Sequence, residues 1–308
     1  MATTHASPVL ENRSSAAAGI GLMVLGIFLF AVNDVMGKWL VATYSVGQLM
    51  LIRSIAALLV IAPFVLREGI SWRLPEQPGL HALRIALSTF ETAFFYWAVV
   101  YLPLADVMTF YLAGPIYVAA LAVFLLGERL DRRRVAVIAI GFVGVLIVLR
   151  PSGATMTWPA LIALAGSIFF ALLMITTRKL RETRDTTLVV GQILGALLFG
   201  LVTAPFTWVQ PTVVDFGLLS LLGIVAMIAH MCVNRSLKLA PASIVTPYQY
   251  TLIVWAALFG YLVFGDVMQV WTLVGAAVIC GAGLALLMFE REQGKRVKAA
   301  DQTIVPEV

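Results

Sequence analysis

Long apolar segments follow one another along almost the whole chain, and they restrict the fold more than any other feature. A helix that crosses the hydrocarbon core of a bilayer needs about 20 apolar residues. Ten segments come close to this length, at residues 17–39, 46–66, 80–101, 104–126, 134–149, 156–178, 187–209, 216–237, 242–264 and 268–289. Because a helix satisfies its own backbone polar groups in lipid, the sequence predicts an all-α membrane protein with ten transmembrane helices.

The composition agrees with this prediction and argues against several classes of protein. Of the 308 residues, 61% are hydrophobic and 12% are charged, whereas soluble domains are typically about half apolar and about a quarter charged. The chain contains no GxxxxGK[ST], HExxH or GxSxG motif and no Cys/His pattern typical of a metal site. We therefore predict that the protein is not an enzyme and that it needs no cofactor.

The basic residues indicate how the helices are oriented. If the N-terminus is cytoplasmic, 17 of the 21 Lys and Arg residues lie in cytoplasmic tails and loops, whereas Lys38 and Arg150 lie in outer loops and Arg53 and Arg84 lie within spans. Lys and Arg concentrate in cytoplasmic loops, so both termini are predicted to be cytoplasmic. The net charge of +5 then faces anionic lipid and does not indicate nucleic-acid binding.

An internal duplication divides the chain into two copies of five spans. Residues 102–130 recur as residues 240–268, an offset of 138 that pairs Glu128 with Asp266, while two other segments recur at offsets of 140 and 142. Because five is an odd number, the second copy enters the membrane in the opposite direction. Inverted repeats are common in secondary transporters, which bind substrates where the copies meet.

The motifs in the two copies resemble those of a known family. The pattern is a proline, a helix of about two dozen residues, a Gly-acid pair within LLGERL (125–130) or VFGDVM (263–268), and a Gly-rich final helix such as AVIAIGFVGVLIVL. It resembles the EamA-type repeat of the drug/metabolite transporter (DMT) superfamily, over essentially the whole chain. The length and aromatic content are similar to those of the bacterial amino-acid exporters of that superfamily, including its aromatic amino-acid exporters.

This resemblance implies a fold, a location and an activity. The first, third, fourth, sixth, eighth and ninth helices would surround a central cavity, and the fifth and tenth would support the outside, where they could form a homodimer contact. The protein would export amino acids or related small metabolites across the bacterial inner membrane by alternating access. The chain would comprise a polar N-terminal tail (1–15), EamA repeats at 16–150 and 151–289, and a cytoplasmic tail (290–308).

Two ionisable residues lie deep inside predicted spans. Glu91 is about eleven residues into the third span, and charged groups at such depth are costly and mark functional sites. The repeat offset places His230 at the corresponding depth of the second copy, so we predict that Glu91 and His230 flank one cavity. The alternative is a pair of polar packing contacts, satisfied by Ser88, Thr89 or Asn234.

The first two spans carry further polar residues. Asn33 is predicted to line the cavity. Asp34 and Lys38 stand four residues apart, the spacing of an ion pair on one helix face, and Arg53 of the second span could also pair with Asp34. We predict that Asp34, Lys38 and Arg53 form a structural or gating ion pair rather than a substrate contact.

The fourth and ninth spans combine aromatic and polar residues with a proline, which interrupts a helix. TFYLAGPIY (109–117) contains Tyr111, and TPYQYTLIVW (246–255) contains Tyr248, Gln249 and Trp255. Hydroxyl and amide groups can bind amino and carboxyl groups while rings stack on an apolar side chain. We predict that these four residues line the cavity together with Phe95 of the third span; the alternative is an aromatic belt at the membrane interface.

Three other functions are compatible with the sequence. The chain could export lipophilic cationic drugs in exchange for protons through Glu91. It could be a membrane-embedded enzyme with Glu91 and His230 as acid and base, which would convert a substrate into a new species. It could be a passive channel, which would conduct without saturation.

Overall fold

A computed structural model describes the backbone of residues 8–68, 77–114, 116–118, 120–121, 132–149, 157–180, 182–239 and 245–304. The regular secondary structure of these residues is entirely helical. The α-helices are α1 (Pro8–Val41), α2 (Val46–Glu68), α3 (Pro78–Tyr101), α4 (Leu104–Leu112), α5 (Arg132–Leu149), α6 (Trp158–Lys179), α7 (Asp185–Thr203), α8 (Val213–Leu239), α9 (Thr251–Phe259) and α10 (Val270–Ile304). Two 3₁₀ segments (Ala204–Thr207 and Thr246–Tyr250) and a π-helical turn (Gly260–Phe264) connect them.

Seven of these helices are long and apolar enough to cross a membrane, namely α1, α2, α3, α6, α7, α8 and α10. Shorter apolar helices cover Leu104–Val118, Val135–Val148 and Tyr248–Phe264. The predicted all-helical membrane fold is therefore confirmed. Ten crossings and cytoplasmic termini remain predictions.

The helices pack in a pattern that repeats between the two halves of the chain. α1 packs on α8 and α9, just as α6 packs on α3 and α4; α2 packs on α8, just as α7 packs on α3. α2 also packs on α7, α4 on α9 and α5 on α10. Exchanging α1–α5 with α6–α10 therefore maps these contacts onto one another, as expected for two related five-helix units.

The spans predicted to be interrupted by proline are interrupted. α4 ends at Leu112 and is followed by a turn at Ala113, whereas Pro115 itself lies outside the described residues. In the second half, a 3₁₀ segment with proline in its first turn precedes α9. The Gly-acid pair of the first copy (127–128) also lies outside the described residues, but that of the second copy, Gly265 and Asp266, is described.

Glycine allows α2 and α8 to approach closely beside the candidate site. A Cβ atom on Gly223 of α8 would overlap the backbone of Arg53 on α2. A larger residue at position 223 would push the two helices apart, so the glycine determines how near Arg53 lies to α8.

Candidate functional site

A buried polar cluster joins α1, α2 and α3 around the hydroxyl of Tyr96. Arg53 Nη1 donates a hydrogen bond to this hydroxyl at 2.9 Å, and Asn33 Nδ2 donates to it at 3.2 Å. Asn33 Nδ2 also lies 3.2 Å from Asp34 Oδ1. The Arg53 guanidinium lies 5.5 Å from the centroid of the Tyr96 ring. The hydroxyl of Tyr96 therefore binds both the guanidinium of Arg53 and the carboxamide of Asn33 inside the helix bundle.

The cluster retains hydrogen-bonding capacity that a ligand could use. The Tyr96 oxygen already accepts two hydrogen bonds, so its proton is still available for donation. Asn33 Oδ1 is buried and has no hydrogen-bond partner among the described residues. Leaving such an acceptor unpaired is costly, and a substrate N–H would remove that cost.

Two carboxylates complement the guanidinium. Arg53 attracts both Asp34 and Glu91 electrostatically. Thr92 Oγ1 donates to Glu91 Oε2 at 3.1 Å, and the Tyr111 hydroxyl donates to the backbone oxygen of Glu91 at 3.3 Å. The region around Arg53 thus contains one cation, two carboxylates and two phenols.

The hydrogen-bond partners differ from those that the packing alternative named for Glu91. The hydroxyls of Ser88 and Thr89 both donate to the backbone oxygen of Ile85, one turn earlier on α3. Among the described residues, the hydroxyl of the neighbouring Thr92 donates to the Glu91 carboxylate. A hydroxyl inside an apolar helix readily bonds to its own backbone, which removes Ser88 and Thr89 as partners for the carboxylate.

An aromatic wall borders the polar cluster. The buried Phe95 ring meets the Tyr96 ring edge-on at 5.3 Å and the Tyr111 ring at 5.5 Å. Tyr111 also lies 5.8 Å from Phe170 of α6. Phe95 and Tyr111 are therefore adjacent to the cluster.

Arg53 also lines a small cavity of about 40 Å³. This volume holds only a few water molecules. Its walls are formed by residues of α2, α3, α7 and α8, namely Arg53, Ser54, Ala57, Thr92, Val189, Gln192, Ile193, Ala196, Gly223, Ala226, Met227 and His230. The expectation that the first, third, fourth, sixth, eighth and ninth helices surround a central cavity stays a prediction, since this pocket is too small to be a substrate pathway.

His230 reaches this cavity, but the α3 residue that lines it is Thr92 and not Glu91. His230 Nδ1 donates to the backbone oxygen of Ala226 at 2.8 Å, and its ring meets Phe30 edge-on at 4.7 Å. His230 therefore lines this cavity, whereas Glu91 is next to it through its neighbour Thr92 and its electrostatic interaction with Arg53.

The predicted residues of the ninth span form a second, mainly apolar group. Tyr248, Trp255 and Phe30 all pack against a buried cluster that includes Met23 and Val245. Because Phe30 also contacts His230, it connects this group to the cavity. Gln249 is half-buried in the same 3₁₀ segment as Tyr248.

Trp255 retains an unused donor. Its ring lies 5.2 Å from Phe28 and stacks on Phe259 at 6.1 Å. Its buried Nε1 has no hydrogen-bond partner among the described residues. Phe28 lies on α1 and Phe259 lies one turn further along α9, so Trp255 packs between the two helices.

The predicted pairing of Lys38 with Asp34 is wrong. Lys38 Nζ donates to Asp266 Oδ2 at 2.5 Å and lies 4.5 Å from the centroid of the Phe264 ring. Asp34 is buried and bonded to Asn33, whereas Lys38, one turn later, reaches the connection between α9 and α10. Arg53 likewise hydrogen-bonds to Tyr96, and its interaction with Asp34 is only electrostatic.

Other hydrogen bonds join the two halves at the same end of the bundle. The Tyr44 hydroxyl donates to Asp215 Oδ2 at 2.7 Å, and this hydrogen bond raises the pKa of the Tyr44 phenol, which stays protonated. Gln48 Nε2 donates to the backbone oxygen of Val209 at 2.6 Å, and the Val209 amide donates back to Gln48 Oε1 at 3.0 Å.

Sequence reasoning missed Tyr96, Thr92 and Gln192. Tyr96 belongs to the aromatic run 94–97, in which periodicity alone could not separate cavity-facing from lipid-facing rings. Thr92 and Gln192 are uncharged and lie in apolar spans. A signal for Gln192 was available, since an amide inside a span needs a polar partner or a polar cavity.

Comparison with known proteins is decisive for the class of protein. Residues 17–150 and 157–289 each match the model of the EamA-like transporter family. The chain belongs to the EamA-like transporter family. Membership confirms the resemblance to the DMT superfamily and identifies the chain as a multi-pass transporter of the bacterial inner membrane that moves small metabolites.

Relatives of this EamA transporter align along nearly their entire length. It is 27% identical over 276 residues to an S-adenosylmethionine uptake transporter of Rickettsia bellii, covering 89% of this chain and 94% of that protein. It is 26% identical over 274 residues to the pseudopaline exporter CntI of Pseudomonas aeruginosa, covering 87% and 95%. A solved crystal structure shares the fold, with a TM-score of 0.62 and 17% identity over 90% of this chain and 98% of that one.

Proposed function

We propose that this EamA transporter is a secondary transporter that exports amino acids or amino-acid derivatives across the inner membrane by alternating access. The observation that supports the proposal is the guanidinium of Arg53, which Tyr96 anchors beside a cavity and within electrostatic reach of Asp34 and Glu91. A zwitterionic substrate carries both charges that such a site complements.

Each part of a zwitterion has a counterpart among these residues. Arg53 offers its remaining N–H groups to a carboxylate, a pairing that arginine makes with two parallel hydrogen bonds. Asp34, Glu91 and the free Asn33 Oδ1 offer acceptors to an ammonium group. Phe95 and Tyr111 offer rings to an apolar or aromatic side chain.

The named relatives are compatible with this substrate class. S-adenosylmethionine, which the Rickettsia relative takes up, is itself an amino-acid derivative. One of these relatives is an uptake transporter and the other is an exporter. Sequence similarity therefore does not determine the direction of transport. We propose export because the chain resembles amino-acid exporters in length and aromatic content.

The proposal includes the ten-helix topology. Cytoplasmic termini follow from the distribution of Lys and Arg, and inverted repeats at 16–150 and 151–289 follow from five spans in each copy. We also propose that α5 and α10, which pack on each other, form the homodimer contact.

Transport by purified protein in proteoliposomes tests the proposal. A panel of labelled amino acids and S-adenosylmethionine is offered with and without a pH gradient, beside an Arg53→Ala variant. We expect saturable transport of at least one zwitterion and at least tenfold weaker transport by Arg53→Ala, since hydrogen bonds to charged groups contribute about 1.5–3 kcal/mol.

The second candidate is proton-coupled efflux of lipophilic cations, which the two carboxylates near the cavity favour. Parallel assays of a lipophilic cation and of the zwitterions, each with the parent and with Glu91→Gln, separate the two candidates. Cation transport that Glu91→Gln abolishes, together with no transport of any zwitterion, would replace the first proposal with the second.

A further inference from the structure

We propose that Lys38 and Asp266 form a gate that closes one end of the transport pathway, and that the Gly-acid pair of the second copy exists to build it. Lys38 belongs to α1 in the first half, and Asp266 belongs to the α9–α10 connection in the second half. A bond between these residues therefore resists separation of the halves at this end. The inference rests on membership of a transporter family and not on the proposed substrate.

The surroundings of the pair suit a reversible contact. The two side chains are 13% and 27% exposed, so their attraction is less screened than that of a fully exposed pair, yet water can reach both charges when they part. Phe264 adds a cation–π contact with Lys38. Both contacts made by Lys38 are with residues of the same short segment, and they would be lost together.

The segment that carries Asp266 contains two irregular backbone features in succession. The π-helical turn Gly260–Phe264 is followed by Gly265 at φ 68°, in the left-handed region that glycine adopts without strain. The amides of Gly265 and Asp266 donate to the backbone oxygens of Tyr261 and Gly260, at 3.0 Å each. π-Turns occur frequently at functional sites, and this one directs the Asp266 carboxylate towards α1.

The pair lies directly above the polar cluster. Lys38 is four residues beyond Asp34 on α1, which corresponds to a rise of about 6 Å. Asn33 and Asp34 are therefore one helical turn below the Lys38–Asp266 bond. A gate at this position would control access to the acceptors proposed to bind the substrate ammonium group.

The other hydrogen bonds between the halves differ in kind. At the same end, Tyr44 bonds Asp215, Gln48 bonds the Val209 backbone and Thr272 bonds Asp106. None of these residues lies in a π-turn or at the left-handed glycine. At the opposite end, the buried Arg84 donates to the hydroxyl of Thr177 and the backbone oxygen of Leu188. The Tyr44–Asp215 bond thus provides a matched control at the same end of the bundle.

Thiol accessibility tests the gate without knowledge of the substrate. In a background with Cys232 and Cys280 replaced by alanine, Asn33→Cys serves as the reporter below the gate. The purified protein is placed in nanodiscs, so that both ends are open to a water-soluble thiol reagent, and the labelling rate is measured. Thermal unfolding midpoints confirm that each variant is folded.

We expect Asp266→Asn to raise the labelling rate about fivefold, the effect of losing a partly exposed ion pair. The charge-reversed double variant Lys38→Asp with Asp266→Lys should return the rate towards that of the parent. Asp215→Asn should change it less than about twofold, because the amide oxygen can still accept the hydrogen bond from Tyr44. An unchanged rate in Asp266→Asn, or an equal rise in Asp215→Asn, would overturn the proposal.

Discussion

Arg53 on α2 donates a hydrogen bond to the hydroxyl of Tyr96 on α3, with 2.9 Å between the two heavy atoms. The bond holds the guanidinium at the wall of the cavity, within electrostatic reach of Asp34 and Glu91. Because Tyr96 is almost fully buried, the geometry of this bond depends on the packing of three helices. The proposed substrate site is therefore built on rigid elements of the fold.

Replacing Tyr96 with phenylalanine should weaken substrate binding about fivefold, because one neutral hydrogen bond that orients Arg53 contributes about 1 kcal/mol. Equilibrium binding of the amino acid identified in proteoliposomes measures the effect. Tyr101→Phe is the matched control, since Tyr101 is exposed at the end of α3 and contacts Trp158. Equal effects of the two substitutions would contradict the orienting role of Tyr96.

Replacing Arg53 with lysine should weaken binding of a carboxylate substrate at least tenfold, although the charge is kept. An ammonium group cannot form the two parallel hydrogen bonds of a guanidinium while also reaching Tyr96. The measurement is the ratio of affinities for an amino acid and for the corresponding amine without the carboxylate. If this ratio is the same in the parent and in Arg53→Lys, Arg53 does not contact the carboxylate.

Replacing Gly223 with alanine should lower stability by about 1–3 kcal/mol, because the new methyl group would overlap the backbone of Arg53 and force α2 and α8 apart. The thermal unfolding midpoint in detergent reports the change. Gly217→Ala, on the same helix, is the control, because a methyl group there meets nothing within 4 Å. The prediction fails if both variants unfold at the same temperature.

Replacing Gln48 with leucine should also lower stability by about 1–3 kcal/mol, since it leaves the amide and the carbonyl of Val209 without their partner. Gln48 is completely buried, so water cannot readily replace the lost bonds. Gln210→Ala, at an exposed position on the neighbouring loop, is the control. If it lowers stability as much as Gln48→Leu does, the loss cannot be assigned to the Gln48 bonds.

The aromatic run of α3 illustrates the limit of prediction for the site. Successive residues on a helix point about 100° apart, so the run itself cannot indicate which rings face inward. Packing against neighbouring helices decides this: Phe95 and Tyr96 are buried, whereas Trp97 is partly exposed. The position of Glu91 near the middle of the span identified it as a candidate residue. Nothing in the sequence of residues 94–97 indicated that Tyr96 would accept a hydrogen bond from Arg53.

The charged residues of α1 show the same limit for ion pairs. Helical spacing permits a bond between Asp34 and Lys38, yet Lys38 bonds Asp266, 228 positions away. A local pattern identifies only which partners are within reach along one helix. Lys38 bonds a residue from another part of the chain because packing brings that residue closer. The local partner, Asp34, is already bonded to Asn33.

The sequence by itself determined that the chain is helical, lies in a membrane and consists of two related halves, because hydrophobic length and internal similarity are linear properties that do not depend on contacts. It also pointed to the depth at which charged groups lie. Only the tertiary structure decided which of these groups meet, because a hydrogen bond or ion pair depends on distances of about 3 Å between helices that are far apart in the chain.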